Sequence, residues 1–105
     1  MLTFIETQLF SRLVREYLSD DEYADVQAQL VRNPEAGSVV RGSGGVRKLR
    51  IAAQDRGKSG GYRLIYYLGS PKGVVWMLTI YPKSERDSIP AHVLRQIKEE
   101  IERGQ

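Results

Sequence analysis

The sequence predicts one α+β domain over residues 1–105, in the order β-α-α-β-β-β-α, with an antiparallel sheet and its helices packed on one sheet face. Three observations predict it. Runs 46–53, 62–68 and 74–81 alternate at the period of a strand. Stretches 9–18, 23–31 and 93–101 repeat apolar residues at three-and-four spacing. Short links join the three strand runs, which favours antiparallel pairing of consecutive strands.

Taken in order, Leu2-Thr3-Phe4-Ile5 is a short β-prone run. Thr7 can cap the helix that follows, whose stripe is Leu9, Phe10, Leu13, Val14, Tyr17 and Leu18. Ser19-Asp20-Asp21-Glu22 has the form of a capping box, and its acids suit the positive end of a helix dipole. Asn33-Pro34 ends that second helix, because a residue before proline avoids helical geometry. Residues 35–45, with four glycines, read as a loop.

The run 46–53 sets Leu49 and Ile51 against Lys48 and Arg50. The run 62–68 sets Leu64, Tyr66 and Leu68 against Arg63, Ile65 and Tyr67. The run 74–81 sets Val74, Trp76, Leu78 and Ile80 against Val75, Met77, Thr79 and Tyr81. Each run thus has a clean apolar face for the helices and a mixed face carrying Lys48, Arg50, Arg63 and Tyr81. Residues 69–73 read as a turn. Ser88 is the expected cap of the last helix, with Pro90 in its first turn.

Composition narrows the chemistry. An apolar share of 41% and a charged share of 28% suit a soluble globule. There is no cysteine and a single histidine, His92, which excludes disulfides, thiolate metal sites and histidine-rich ones. No cofactor and no metal are expected. Neither a signal segment nor a long apolar run is present, so the expected compartment is the cytoplasm, with no membrane partner. Arg41, Arg47, Lys48, Arg50, Arg56, Lys58 and Arg63 face only Asp55 between residues 41 and 63, a local +6. The chain's net charge of +3 leaves the remainder at −3, and a basic centre of this kind suits an anionic partner.

Familiar catalytic sets are missing. Gly57-Lys58-Ser59 lacks the upstream glycine of a phosphate-binding loop, and Gly42-Ser43-Gly44-Gly45 precedes a strand rather than a helix. What remains is cations with tyrosines. Arginine and lysine clamp phosphate, and tyrosine stacks on bases. RNA carries its own nucleophile, the 2′-hydroxyl, so a site that orients it and stabilises a phosphorane needs none. A plain solvated face, an ion pair of Arg63 with Asp55 or Glu85, a core role for Tyr66, a cross-strand contact for Tyr67 and a core lid at Tyr81 are the structural alternatives. A non-catalytic RNA-binding module is the functional one.

Three segments carry a resemblance: Gly45-Val46-Arg47-Lys48-Leu49-Arg50, then Gly57-Lys58-Ser59-Gly60-Gly61-Tyr62-Arg63-Leu64-Ile65-Tyr66-Tyr67, then Leu78-Thr79-Ile80-Tyr81-Pro82-Lys83-Ser84-Glu85. In this order they resemble the RelE/HigB superfamily of type II toxins, most closely its HigB-type branch. The resemblance implies the RelE/ParE-like fold and a ribosome-dependent endoribonuclease that cuts mRNA in the 30S A site by 2′-hydroxyl attack without a metal. It implies a cognate antitoxin, commonly a helix-turn-helix DNA-binding protein. The superfamily's basic pair falls on Lys48 and Arg50, its strand-opening arginine on Arg63, and its later basic residue on Lys83. Lys48, Arg63, Tyr81 and Lys83 are the expected catalytic set, and Arg47, Arg50, Arg56, Lys58 and Tyr67 the expected RNA contacts. The chain departs from some members at Ser84, where they carry arginine, and at Ser88-Ile89-Pro90, where they carry tyrosine nearby. Gyrase-directed members share the fold, so fold alone does not name the target.

Overall fold

Thr7 does two jobs at the start of the chain. Its Oγ1 accepts from the Phe10 amide at 3.0 Å and donates to the Leu78 carbonyl at 2.8 Å. A single hydroxyl therefore caps the first helix and ties it to the sheet. A computed structural model describes residues 2–52, 60–69, 73–85 and 88–104. The expected contacts Arg56 and Lys58, with Asp55 and the rest of 53–59, lie outside the described residues, as does 70–72 of the expected turn.

The elements are β1 (Thr3–Glu6), α1 (Gln8–Tyr17), α2 (Asp20–Arg32), β2 (Ser38–Val39), β3 (Arg47–Ile51), β4 (Tyr62–Gly69), β5 (Val74–Pro82) and α3 (Ala91–Arg103). The capping box at Ser19 forms in both directions: Glu22 N–H donates to Ser19 Oγ at 3.1 Å, and Ser19 N–H to Glu22 Oε1 at 2.8 Å. The last helix begins later than its sequence suggests. Pro90 sits at the N-cap in an extended conformation, ψ 140°, and Ser88 makes no cap. The bias of Ile89 toward extended geometry before proline delays the first turn to Ala91.

The strand order is β1-β5-β4-β3-β2. The pairs β3–β4 and β4–β5 are antiparallel as expected, but β1 runs parallel to β5, so the sheet is mixed rather than purely antiparallel. The chain crosses α1, α2 and three strands before β5 lies beside β1, and so long a connection permits either sense. Within the expected loop, Ser38 and Val39 pair with Lys48 and Arg47 as a two-residue edge strand, too short to leave a period-two signal.

The helices occupy both faces, not one. Phe10 and Val14 of α1 and Val26 and Leu30 of α2 pack with Leu49, Leu64, Tyr66, Met77 and Ile80. Leu94 of α3 packs with Val46, Ile65, Leu78 and Tyr81 on the opposite face. The mixed face carries enough aliphatic surface at its far end to bind a helix, and α3 covers only that end. A bulge in β5 also shifts phase. Ile65 faces Thr79 while Tyr66 faces Met77, leaving Leu78 as the extra residue. Ile80 consequently joins Val75 and Met77, instead of Trp76 and Leu78 as strict alternation predicts. Among the described residues no helix is long and apolar enough to cross a membrane.

Candidate functional site

Lys48 and Arg50 leave β3 on the same face, and Arg63 lies directly opposite Arg50 on β4. Tyr81 on β5 completes that cross-strand row. Like charges directly opposite each other across a strand pair are unfavourable unless an anion lies near them. Lys48, Arg50, Arg63 and Lys83 converge on one hollow of about 440 Å³, whose remaining wall is Ala36, Ser38 and Leu49. Among the described residues, no carboxylate lies within ion-pair distance of any of these four cations. Nor, among the described residues, does a carboxylate or imidazole line the hollow.

Arg63 is 8% exposed. Its Nη1 donates to the carbonyls of Gly60 at 2.7 Å and Tyr62 at 3.1 Å, which holds the guanidinium in one orientation. Lys83 follows β5 and is exposed; its amide donates to the Gly61 carbonyl at 3.0 Å. Gly60, at φ +77°, links the two cations. Its carbonyl receives Arg63, and the Lys83 stem lies 3.4 Å from where a Cβ would stand.

Tyr81 lies close but plays a different part. Its ring is buried among Val46, Ile65, Leu78 and Leu94, and it lines a second hollow of about 310 Å³ rather than the first. Lys48 borders both hollows, and Arg41 and Ser88 border the second.

Two expected RNA contacts are not brought to the hollow. Tyr67 donates its hydroxyl to Glu102 Oε2 at 2.6 Å, with Lys98 Nζ 5.9 Å above its ring and 3.2 Å from Glu102 Oε1. Burial first, and then the Glu102 hydrogen bond, push the Tyr67 hydroxyl up to about 12. Its role here is to fasten α3. Arg47 sits on the other sheet face, paired across from Tyr66. Its Nη1 donates to the carbonyls of Gly37 at 2.7 Å and Glu35 at 3.3 Å, and its Nη2 lies 3.5 Å from the Glu35 carboxylate. Strand parity already groups Arg47 with Leu49 and Ile51, and that signal suffices to separate it from Lys48. Ala36 and Ser38 carry no sequence signal as wall residues, because only the pairing of β2 brings them there.

A family model described as "RelE toxin of RelE / RelB toxin-antitoxin system" matches residues 3–103. Three solved structures resemble the fold. The toxin in the intact E. coli RelBE toxin–antitoxin complex aligns with a TM-score of 0.59 at 20% identity, over 78% of this chain and 96% of that one. A substituted form of E. coli toxin RelE in the free state gives 0.56 at 19% identity, over 92% and 96%. The archaeal RelE–RelB complex from Pyrococcus horikoshii OT3 gives 0.54 at 16% identity, over 81% and 98%.

Proposed function

This chain belongs to the RelE toxin family, and on that premise we propose that it is the toxin of a type II toxin–antitoxin pair and cuts mRNA held in the ribosomal A site. The observation that carries the proposal is the hollow in which Lys48, Arg50, Arg63 and Lys83 meet without a carboxylate among the described residues. Such a site takes a phosphodiester. Its four cations complement a polyanion, and the opposed Arg50 and Arg63 gain most when a phosphate lies between them.

The chemistry follows from RNA itself. The 2′-oxygen attacks the adjacent phosphorus, the bond to the 5′-oxygen breaks, and a 2′,3′-cyclic phosphate and a 5′-hydroxyl remain. The rigid Arg63 and the neighbouring Lys48 stabilise the charge that gathers on the phosphorane oxygens. Arg50 holds the backbone. Lys83 hands a proton to the leaving 5′-oxygen, and the 2′ proton passes to water. Tyr81 stands across the strand pair from Arg63 and shares the second hollow with Lys48. No metal or other cofactor enters the reaction.

Among the described residues neither carboxylate nor imidazole lines the hollow to act as a strong base, so the rate leans on the in-line geometry of the 2′-oxygen. The ribosome supplies it by fixing the codon, which accounts for ribosome dependence. The toxin acts in the cytoplasm, as one domain, and a cognate antitoxin neutralises it.

Primer extension on mRNA translated in vitro tests the reading. We expect cuts within codons when ribosomes are present and little cutting of free RNA. Arg63→Ala should lower the rate by about 10²–10³-fold with an unchanged circular dichroism spectrum. Equal cleavage of naked RNA, or a fully active Arg63→Ala protein, would overturn it. DNA damage with intact transcripts would redirect the assignment to gyrase.

A further inference from the structure

One wall of the cationic hollow does not belong to the long strands. Ala36 and Ser38 line it, and both lie in the strap between α2 and β3. A strap of this length ordinarily moves. Here two side chains from the opposite sheet face hold it. The Tyr66 hydroxyl donates to the Pro34 carbonyl at 2.6 Å and accepts from the Gly37 amide at 2.9 Å. Arg47 donates to the carbonyls of Gly37 and Glu35 and pairs with the Glu35 carboxylate. The tyrosine ring is fully buried in the core formed with α1 and α2. The strap is therefore referenced to the rigid centre of the molecule rather than to its edge.

Gly37 shows how close the approach is. A Cβ at that position would stand 2.8 Å from Tyr66 Cε1 and 3.0 Å from the Lys48 carbonyl oxygen. Any larger residue must push the strap off β3 at Lys48, the residue that borders the hollow. Ser38, the next residue, pairs directly with Lys48.

We propose that Tyr66 and Arg47 are positioning residues for RNA cleavage: they clamp segment 34–38 against β3 and so set the distance between the Ala36–Ser38 wall and the cations Lys48, Arg50 and Arg63. This inference rests on the reading of the hollow as the RNA site. Neither residue touches the RNA. Each acts through the strap, and Gly37 is required because nothing larger fits under the clamp.

The test measures single-round cleavage of mRNA on programmed ribosomes by Tyr66→Phe, Arg47→Gln and Gly37→Ala, with Arg63→Ala alongside. Each is assayed at a temperature where its circular dichroism matches the unsubstituted protein. Tyr66→Phe keeps the ring and removes only the bridging hydroxyl. We expect kcat to fall at least about tenfold in Tyr66→Phe and Gly37→Ala, with KM for ribosomes within about twofold, because a small misplacement of reacting groups is paid in the chemical step. Amide exchange at Gly37 should quicken in Tyr66→Phe, a readout that needs no activity. A residue that only stabilises the fold would lower the melting temperature and leave kcat alone. Unchanged kcat and unchanged Gly37 exchange in Tyr66→Phe, with Arg63→Ala inactive, would overturn the clamp and keep the site. An active Arg63→Ala would overturn the site itself.

Discussion

Arg47 and Lys48 are chain neighbours with opposite fates. Lys48 borders the hollow, whereas Arg47 reaches across the other face to Glu35 and Gly37. Both are cations of β3, so charge alone treats them alike; parity separates them. Tyr67 shows the reverse case. Its parity matches Arg63 and Ile65, yet α3 claims it through Glu102, a residue 35 positions away. The Tyr66 hydroxyl was not legible at all, because its partners Pro34 and Gly37 come from a strap whose path no local pattern predicts. Local chemistry was legible where a few adjacent residues complete it. Ser19 and Glu22 form their box within one turn. Ser19→Ala should accordingly cost about 1 kcal/mol, read as a lower urea midpoint with an unchanged m-value and unchanged cleavage at low temperature.

At the scale of elements, α3 is the piece whose attachment is exposed to solution conditions. Tyr67, Glu102 and Lys98 form a chain of contacts at its C-terminal end, with Leu94 buried nearer its start. The Tyr67 hydroxyl titrates near 12 in the fold against an ordinary value of about 10. A raised folded value means the contact contributes fully below pH about 10 and is lost as pH rises to about 12. The Glu102 carboxyl is held below its usual range, first by the Tyr67 hydrogen bond and then by Lys98. Its contribution is present above the ordinary glutamate value of about 4.3 and disappears as pH falls through the lower folded value. Urea midpoints measured from pH 9 to 12 should therefore fall more steeply for the unsubstituted protein than for Tyr67→Phe. Parallel curves would show that the Tyr67–Glu102 contact does not fasten α3. The placement of α3 on the second face was not legible in its stripe, since an apolar stripe says that a helix packs but not against which face. The bulge at Leu78 was equally silent, because one extra residue leaves composition unchanged and only reverses phase.

At the scale of the molecule, the sheet sorts charge. Lys48, Arg50, Arg63 and Lys83 gather on the open end of one face, while the helices α1 and α2 cover the other face completely enough to build the main core. Four cations in one hollow predict a specific salt response. Binding of single-stranded RNA carrying a 2′-deoxyribose at the cleavage site should weaken with a log–log slope of about −3, from about 0.7 counterions released per phosphate contact. A slope near zero would show that the hollow does not hold the backbone. Lys48→Ala should flatten the slope by close to one contact, and Arg47→Ala should leave it unchanged. The sequence by itself determined the types of the longer elements, the caps Thr7 and Ser19, the parity that puts Lys48, Arg50 and Arg63 on one side, and the absence of thiol or multi-histidine chemistry, because all of these are set by residues within a few positions of one another. Only the tertiary structure decided the parallel seating of β1, the side chosen by α3, the edge strand at Ser38–Val39 and the assignment of Arg47 and Tyr66 to the strap. Those depend on contacts between segments tens of residues apart, where packing and backbone hydrogen bonding override any local preference.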